Sequence, residues 1–266
     1  MKLTMLGTGN AMVTECYNTC FVIEDEGALF LVDGGGGNTI LRQLKLAGYE
    51  LKDIKEIFLT HKHVDHFMGI VWLVRIIAQN MHKGKIDGEV NLYGHKEVLD
   101  LVRNVAELLL EKKQTKYLDN RIHLVEVQDE EERMICGHKV TFFDIRSTKA
   151  KQFAFRMELG DGKVLACCGD EPYYEHEKKF CENADWLLHE AFCLDSQADI
   201  FDPYGRSHCT VKDACETAEK LNAKNLVIYH TEDKNILKRK ELYTEEGKQY
   251  FHGNLFIPDD LEVMEL

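Results

Sequence analysis

The segment His-Lys-His-Val-Asp-His at residues 61–66 places three histidines and one aspartate within six positions, directly after an apolar run typical of a buried strand. Imidazole and carboxylate groups are common protein ligands of Zn²⁺ and similar ions. His61 and His63 are two residues apart, so in an extended turn they face the same way and can share one ion. Asp65 and His66 turn the other way and can reach a second. A polar loop leading into the next helix is the alternative, but this density of ligands favours a metal site.

Four further strand-like segments also end in residues that carry chemistry. Asp33, Asp170 and His230 each follow an apolar run, and another run ends in His189 and Glu190. Buried strands that end in polar groups bring those groups to one edge of a sheet, where α/β folds place their sites. The sequence therefore predicts one site built from several strand ends.

The predicted architecture is an α/β fold in a single domain over residues 1–266. The chain is 44% hydrophobic, has 3 prolines and contains no linker rich in serine, glycine and proline, so it can build one large core. Apolar runs rich in β-branched and aromatic residues alternate with amphipathic stretches. Strands are predicted at residues 2–6, 20–24, 28–32, 56–60, 89–93, 122–126, 139–145, 154–159, 163–168, 185–189, 225–229 and 261–266. Helices are predicted at residues 39–47, 67–81, 96–113, 174–183, 211–221 and 235–251.

Charge and composition narrow the class of partner. The net charge is −13, so the chain has no global field for a phosphate backbone, and nucleic acid is an unlikely partner unless a local basic patch exists. No apolar stretch approaches the roughly 20 residues of a membrane span, which predicts no membrane contact. The N-terminus lacks a signal-peptide pattern, and the 9 scattered cysteines are interpreted as free thiols. We therefore expect a cytoplasmic location.

The motifs resemble the metallo-β-lactamase superfamily and, within it, the ribonuclease Z-like branch. The resemblance extends along the whole chain and is carried by Leu6-Gly7-Thr8-Gly9, Asp33-Gly34-Gly35, the segment 61–66, Gly169-Asp170, His189-Glu190-Ala191, Ser207-His208 and His230. It implies a four-layer αβ/βα sandwich of two mixed sheets flanked by helices, with a two-metal site at the sheet edge. A homodimer is compatible with this branch.

The resemblance also implies a set of metal ligands. His61, His63 and Asp170 would hold a first ion. Asp65, His66, Asp170 and His230 would hold a second, with Asp170 bridging the two. Asp33 would orient the ligand loop without binding metal. The implied ions are Zn²⁺, up to two per chain, with Mn²⁺ or Fe²⁺ as alternatives.

One ligand that the family supplies to the first ion is missing. Its place is occupied by Thr148, or by Ser147 if the register differs by one residue. The nearest upstream histidine, His138, is ten residues away, about 33 Å along an extended strand at ~3.3 Å per residue. The first ion would then have three protein ligands and bind more weakly than the second, which places occupancy of both sites in question.

The implied chemistry is hydrolysis. Two divalent ions would generate a bridging hydroxide and stabilise charge on the attacked group, which suits a phosphodiester, a lactone or an amide. The candidate catalytic residues are Asp65, Glu190 and His208, with Glu190 orienting His208 so that it protonates a leaving alkoxide. His189 alternates to the opposite face of its strand and is expected in the core.

The substrate is expected to be a small anionic ester. Arg146, Lys149, Lys151 and Arg156 predict a local positive patch near the metals, although a solvated strand edge is equally compatible with them. The long basic arm that ribonuclease Z uses to hold tRNA has no room between Thr148 and Asp170, which are 22 residues apart. Cleavage of precursor tRNA is therefore the minority interpretation.

Other functions on this fold are a sensor that has lost catalysis, a single-metal lactone or ester hydrolase, and a di-iron redox enzyme. A sensor has no need of Glu190 and His208. The redox branch usually carries a carboxylate in the first histidine cluster and needs an electron-donating partner, and neither is present in this sequence. The favoured hypothesis is a two-metal hydrolase of phosphodiesters.

Overall fold

The computed structural model describes residues 1–266 and contains fourteen strands and eight α-helices. The strands are β1 (Lys2–Gly7), β2 (Cys20–Asp25), β3 (Ala28–Val32), β4 (Ile54–Phe58), β5 (Val90–Gly94), β6 (Ile122–Glu126), β7 (Glu132–Ile135), β8 (His138–Asp144), β9 (Phe153–Glu158), β10 (Val164–Cys167), β11 (Trp186–Glu190), β12 (Asn225–Tyr229), β13 (Asn254–Phe256) and β14 (Val263–Glu265). The helices are α1 (Thr39–Leu46), α2 (Val64–His82), α3 (Lys96–Leu109), α4 (Lys112–Thr115), α5 (Lys178–Cys181), α6 (Ala198–Phe201), α7 (Val211–Lys220) and α8 (Arg239–Gly247). None of the helices combines the length and hydropathy needed to cross a bilayer.

The strands form two mixed sheets of seven strands each. The first sheet has the order β14-β1-β2-β3-β4-β5-β6, and the second has the order β13-β12-β11-β10-β9-β8-β7. In the first, pairing is antiparallel from β14 to β3 and parallel from β3 to β6. In the second, β7 to β10 pair antiparallel and β10 to β13 pair parallel. The predicted pair of mixed sheets is confirmed.

Three apolar cores hold the layers together. The core between the sheets contains a group of aromatic rings in which Phe155 lies edge-on to Phe30 and Phe58, with centroids 5.6 and 5.9 Å apart. Helices α1, α2 and α3 cover the outer face of the first sheet, and α5, α7 and α8 cover that of the second. Because each sheet is buried on both faces, the sequences of its strands are nearly continuous apolar runs. The four-layer sandwich is therefore confirmed.

Two short strands and three helices differ from the sequence prediction. The predicted helix at residues 96–113 is broken into α3 and α4, and α6 was not predicted. β7 and β13 were not predicted, because both are edge strands too short to show a pattern, and in β7 only Ile135 is buried. The predicted helix at residues 174–183 is instead a 3₁₀ turn, Glu175–Glu177, followed by α5.

A close backbone contact fixes the start of α2 against the end of β3. Gly34 N–H donates to the His66 carbonyl at 2.9 Å, and Gly69 N–H donates to the Gly35 carbonyl at 2.8 Å. A Cβ atom on Gly69 would lie 1.7 Å from the Gly34 carbonyl oxygen, so this approach requires glycine. The contact sets the position of the 61–66 segment relative to the first sheet.

Candidate metal centre

The 61–66 segment turns from β4 into α2 and presents its polar side chains on both sides of the turn. His63 is the N-cap residue of α2 in an extended conformation, and Asp65 and His66 lie in the first helical turn. His61 Nε2 lies 2.9 Å from His63 Nδ1. His61, Asp65 and His66 are buried, whereas His63 is partly exposed at the mouth of a cleft.

Asp33 and Thr60 orient two of these rings. Asp33 Oδ2 accepts a hydrogen bond from His66 Nδ1 at 2.7 Å, and Thr60 N–H donates to Asp33 Oδ1 at 2.9 Å. The Thr60 hydroxyl lies 2.9 Å from His61 Nδ1 and donates to Asp33 at 2.8 Å. Carboxylates that hold the outer nitrogen of a histidine in this way are typical of metal sites, since they leave Nε2 free to bind.

Asp170, three residues after the end of β10, lies at the centre of the cluster. Its Oδ2 is 3.5 Å from His61 Nε2, 3.4 Å from His66 Nε2 and 3.6 Å from His230 Nε2. Its Oδ1 is buried and has no hydrogen-bond partner. Burial opposes ionisation of Asp170, but the surrounding histidines outweigh it and hold the pKa of the carboxyl well below its usual range.

Asp65 joins His66 and His230 on the other side of Asp170. Asp65 Oδ2 is 3.4 Å from His230 Nε2 and 3.5 Å from His66 Nε2. His66 Nε2 has no hydrogen-bond partner of its own. Although burial opposes protonation of this ring, Asp65 and Asp33 outweigh it and raise the pKa of His66 well above its usual value. A site that attracts a proton this strongly offers the same negative field to a cation.

Two residues of the centre are held in a conformation that non-glycine residues rarely adopt. Asp33 and His230 both have a φ of 59°, in the left-handed region. Each such residue costs about 1–2 kcal/mol. Strain of this kind is concentrated at functional sites, where the surrounding structure maintains it.

The arrangement fits divalent cations. His61, His66 and Asp170 form one group and Asp65, His66 and His230 form another, each with its ligand atoms within 4.8 Å of one another. Both sets contain only nitrogen and oxygen donors, which suit Zn²⁺, Mn²⁺ and Fe²⁺. The structure therefore brings all six predicted ligands to one place, with His63 at the edge of the first group.

The loop at residues 145–152 occupies the place of the missing ligand. Ser147 Oγ donates to Glu171 Oε1 at 2.5 Å, whereas Thr148 is exposed. His138 is bound elsewhere, with its Nε2 2.8 Å from Asp25 Oδ2. Of the two alternatives for the register, the inward-facing residue is Ser147.

Glu190 and His208 face each other beside the cluster. His208 Nδ1 lies 3.6 Å from Glu190 Oε2, and Cys209 N–H donates to Glu190 Oε1 at 2.7 Å. The His208 ring stacks on Phe192 with centroids 5.0 Å apart. His189, on the opposite face of β11, is buried with its Nδ1 donating to the Glu190 carbonyl, as expected for a core residue.

A cleft of about 590 Å³ opens over these groups, and it is lined by Lys62, Lys149 and Arg206. Lys149 Nζ donates to the Arg206 carbonyl at 3.0 Å and lies 3.5 Å from His208 Nε2. The sequence did not predict Lys62 and Arg206 as cleft residues, because nothing in their local pattern distinguishes them from ordinary surface cations.

The expected patch of four cations is wrong for three of its members, since of the four only Lys149 lines the cleft. Lys151 Nζ lies over the Phe153 ring at 5.3 Å, and Arg156 donates to the Phe180 carbonyl. Arg146 has a φ of 57°, in the left-handed region. It lies in the loop that joins the antiparallel strands β8 and β9, so neighbours in this loop need not share a face.

Comparisons with known proteins agree with the fold described above. The model of the family described as "Anti-Pycsar protein Apyc1" matches residues 1–251. A ribonuclease Z from Thermococcus sibiricus is 25% identical over 308 aligned residues, covering 100% of this chain and 96% of that protein. The structure of human short-form tRNase Z has a TM-score of 0.74 at 22% identity, covering 100% of this chain and 99% of that one. The Zn²⁺-bound structure of PqqB from Methylobacterium extorquens has a TM-score of 0.76 at 14% identity, covering 100% of both chains.

Proposed function

The chain belongs to the Anti-Pycsar protein Apyc1 family and is a metallo-β-lactamase-fold hydrolase related to ribonuclease Z. From this premise we propose that it hydrolyses phosphodiesters or related anionic esters with two divalent cations. The observation that carries the proposal is the position of Asp170, whose Oδ2 lies 3.4–3.6 Å from three histidine nitrogens at the floor of a cleft lined by cations.

The cations would be held by Asp170 and the five residues around it. His61, His63 and Asp170 would bind the first, and Asp65, His66, Asp170 and His230 would bind the second. When bound, the pair supplies the Lewis acidity that lowers the pKa of water and stabilises charge on a phosphoryl oxygen. The proposed metal is Zn²⁺, supported by the nitrogen-rich donor set.

Glu190 and His208 have the proton-transfer role. His208 Nδ1 faces the carboxylate, so its Nε2 is the atom that faces the cleft and Lys149. A proton on Nε2 would pass to the leaving alkoxide oxygen, and the Glu190 carboxylate would keep the ring oriented. Glu190 is fully buried and held by the Cys209 N–H, so its geometry is fixed before substrate binds. A catalytic role for Asp65 beyond holding a cation stays a prediction.

The cationic wall supports an anionic substrate. Lys149 lies beside Arg206 and His208 in the cleft, and Lys62, next to His63 in sequence, also lines it. Lys62 is paired with Glu97, whereas Lys149 Nζ lies 3.5 Å from His208 Nε2. Hydrogen bonds from charged donors to phosphate oxygens are stronger than neutral ones.

Cleavage of precursor tRNA is the second candidate, favoured by the full-length similarity to ribonuclease Z. An observation against the nuclease is that the residues between the 145–152 loop and Asp170 form β9, a 3₁₀ turn and β10. They include no arm for RNA. The small ester is the better supported substrate.

The test compares an anionic diester, bis-p-nitrophenyl phosphate, with the uncharged ester p-nitrophenyl acetate and with a precursor tRNA transcript. We expect turnover of the diester, and Lys149→Ala should lower kcat/KM for it about tenfold, as loss of a charged hydrogen bond would. Lys151→Ala is the matched control and should change little. Efficient cleavage of precursor tRNA with no turnover of the diester would replace this proposal with the nuclease.

A further inference from the structure

A second cluster of ligand-type side chains lies beneath the strand end that carries Asp170. Cys168, Glu177 and Cys181 have their sulfur and oxygen atoms within 4.8 Å of one another, and all three residues are at most 1% exposed. Cys168 follows β10 and precedes Asp170 by two residues, whereas Cys181 ends α5. None of these three residues has a part in the hydrolytic chemistry proposed above.

The spacing of the two sulfurs matches a shared metal ion. Cys168 Sγ and Cys181 Sγ are 3.6 Å apart. Two thiolates bound at about 2.3 Å to one tetrahedral Zn²⁺ lie about 3.8 Å from each other. The backbone therefore already holds the two sulfurs at the separation that one ion requires.

One oxygen of the Glu177 carboxylate lacks a partner. Its Oε1 accepts a hydrogen bond from Tyr174 N–H at 2.9 Å, but its Oε2 is buried with no partner. Burial raises the pKa of this carboxyl to about 8. The nearby lysines pair with other carboxylates: Lys178 with Glu182, Lys179 with Glu130 and Lys220 with Glu175. A buried oxygen without a cation is costly and is explained if a metal ion occupies the cluster.

We propose that Cys168, Glu177 and Cys181 bind a further metal ion of the zinc class, separate from the centre at Asp170. Thiolate ligands prefer Zn²⁺ over harder cations such as Mg²⁺ or Mn²⁺. Binding releases the thiol protons to solvent and involves no redox step.

The ion would link α5 to the end of β10. Besides this cluster, α5 is held by the stacking of Phe180 on Phe143, with ring centroids 4.3 Å apart. Since Asp170 follows Cys168 by two residues, the ion would also stabilise the backbone that presents Asp170. Its role is structural, and the proposal does not depend on the identity of the substrate.

Cobalt absorption distinguishes the two centres. The Asp170 centre offers only nitrogen and oxygen ligands, so a thiolate-to-cobalt charge-transfer band in the near ultraviolet can arise only where cysteine binds. Full-length protein produced with Co²⁺ should show this band. It should fall to background in Cys168→Ala and in Cys181→Ala, and weaken in Glu177→Gln. The control is Cys215→Ala, which removes a buried thiol outside the cluster and should keep the band.

Folding and oxidation are followed in the same samples. Visible cobalt bands from the nitrogen and oxygen ligands, together with far-ultraviolet circular dichroism, show that each variant is folded. Thiol titration after denaturation with chelator should give all 9 cysteines. Absence of the charge-transfer band in the wild-type protein would overturn the proposal. Seven titratable thiols, meaning a Cys168–Cys181 disulfide, would overturn it as well.

Discussion

Asp33 Oδ2 accepts a hydrogen bond from His66 Nδ1 at 2.7 Å, although the two residues are 33 positions apart in the chain. The bond directs His66 Nε2 toward Asp65 and Asp170, and the strained φ of Asp33 is maintained by it and by the bonds from Thr60. Asp33 thus orients the His66 ring and would not contact the proposed cation itself.

Asp33→Asn should weaken cation binding about 10- to 100-fold, because an amide cannot hold the His66 ring as a carboxylate does. Competition with a chromogenic chelator measures the affinity. Asp25→Asn is a matched control, since it breaks an Asp–His pair of similar length, Asp25 with His138 at 2.8 Å, away from the centre. Equal affinities for Asp33→Asn and the control would refute the orienting role.

His208→Ala should lower the rate most for substrates whose leaving group needs a proton. For a dinucleoside phosphodiester, which releases an alkoxide, we expect a loss of about 10²- to 10⁴-fold. For bis-p-nitrophenyl phosphate, which releases a stable phenolate, the loss should be much smaller. Metal content should stay unchanged. His252→Ala, at an exposed histidine, serves as the control. Equal losses of His208→Ala activity on both substrates would exclude His208 as the proton donor.

Ser147→His should supply the ligand that the first cation lacks. Ser147 faces Glu171 next to Asp170, whereas Thr148 is exposed, so only the first substitution places an imidazole toward the centre. Calorimetric titration of metal-stripped protein should show a tighter first ion in Ser147→His and no change in Thr148→His. The reverse order would show that the register assigned to this loop is off by one.

His95 should contribute to acid sensitivity of the fold. It is buried at the N-cap of α3, where its Nδ1 accepts from Val98 N–H, and burial, with Lys151 nearby, lowers its pKa. A histidine with a lowered pKa stabilises the fold above its unfolded value near 6.5 and loses this contribution as pH falls below that value. In metal-stripped protein, the drop in unfolding free energy between neutral and mildly acidic pH should be smaller for His95→Asn, which keeps a cap without titrating. Urea unfolding at both pH values checks this, with His252→Asn as the control. An unchanged drop would contradict it.

The ligand set could be predicted from sequence because each ligand follows a strongly apolar strand or lies within a dense local motif. Parallel pairing of β3 with β4, of β10 with β11 and of β11 with β12 then brings the strand ends to one edge. The direction of each side chain in the 145–152 loop could not be predicted, since it depends on the left-handed backbone of Arg146, which has no sequence signature of its own. The contributions of Lys62, Arg206 and Glu177 likewise depend on tertiary contacts between distant segments.

The metal content of Asp170→Ala tests the central claim most directly, because Asp170 is the one side chain proposed to contact both cations. Elemental analysis should show two fewer ions per chain than in the wild-type protein, with circular dichroism unchanged. Asp100→Ala, which removes an exposed carboxylate paired only with Lys96, should keep the wild-type content. An Asp170→Ala protein that retains the wild-type number of ions would contradict the two-cation centre described for this fold.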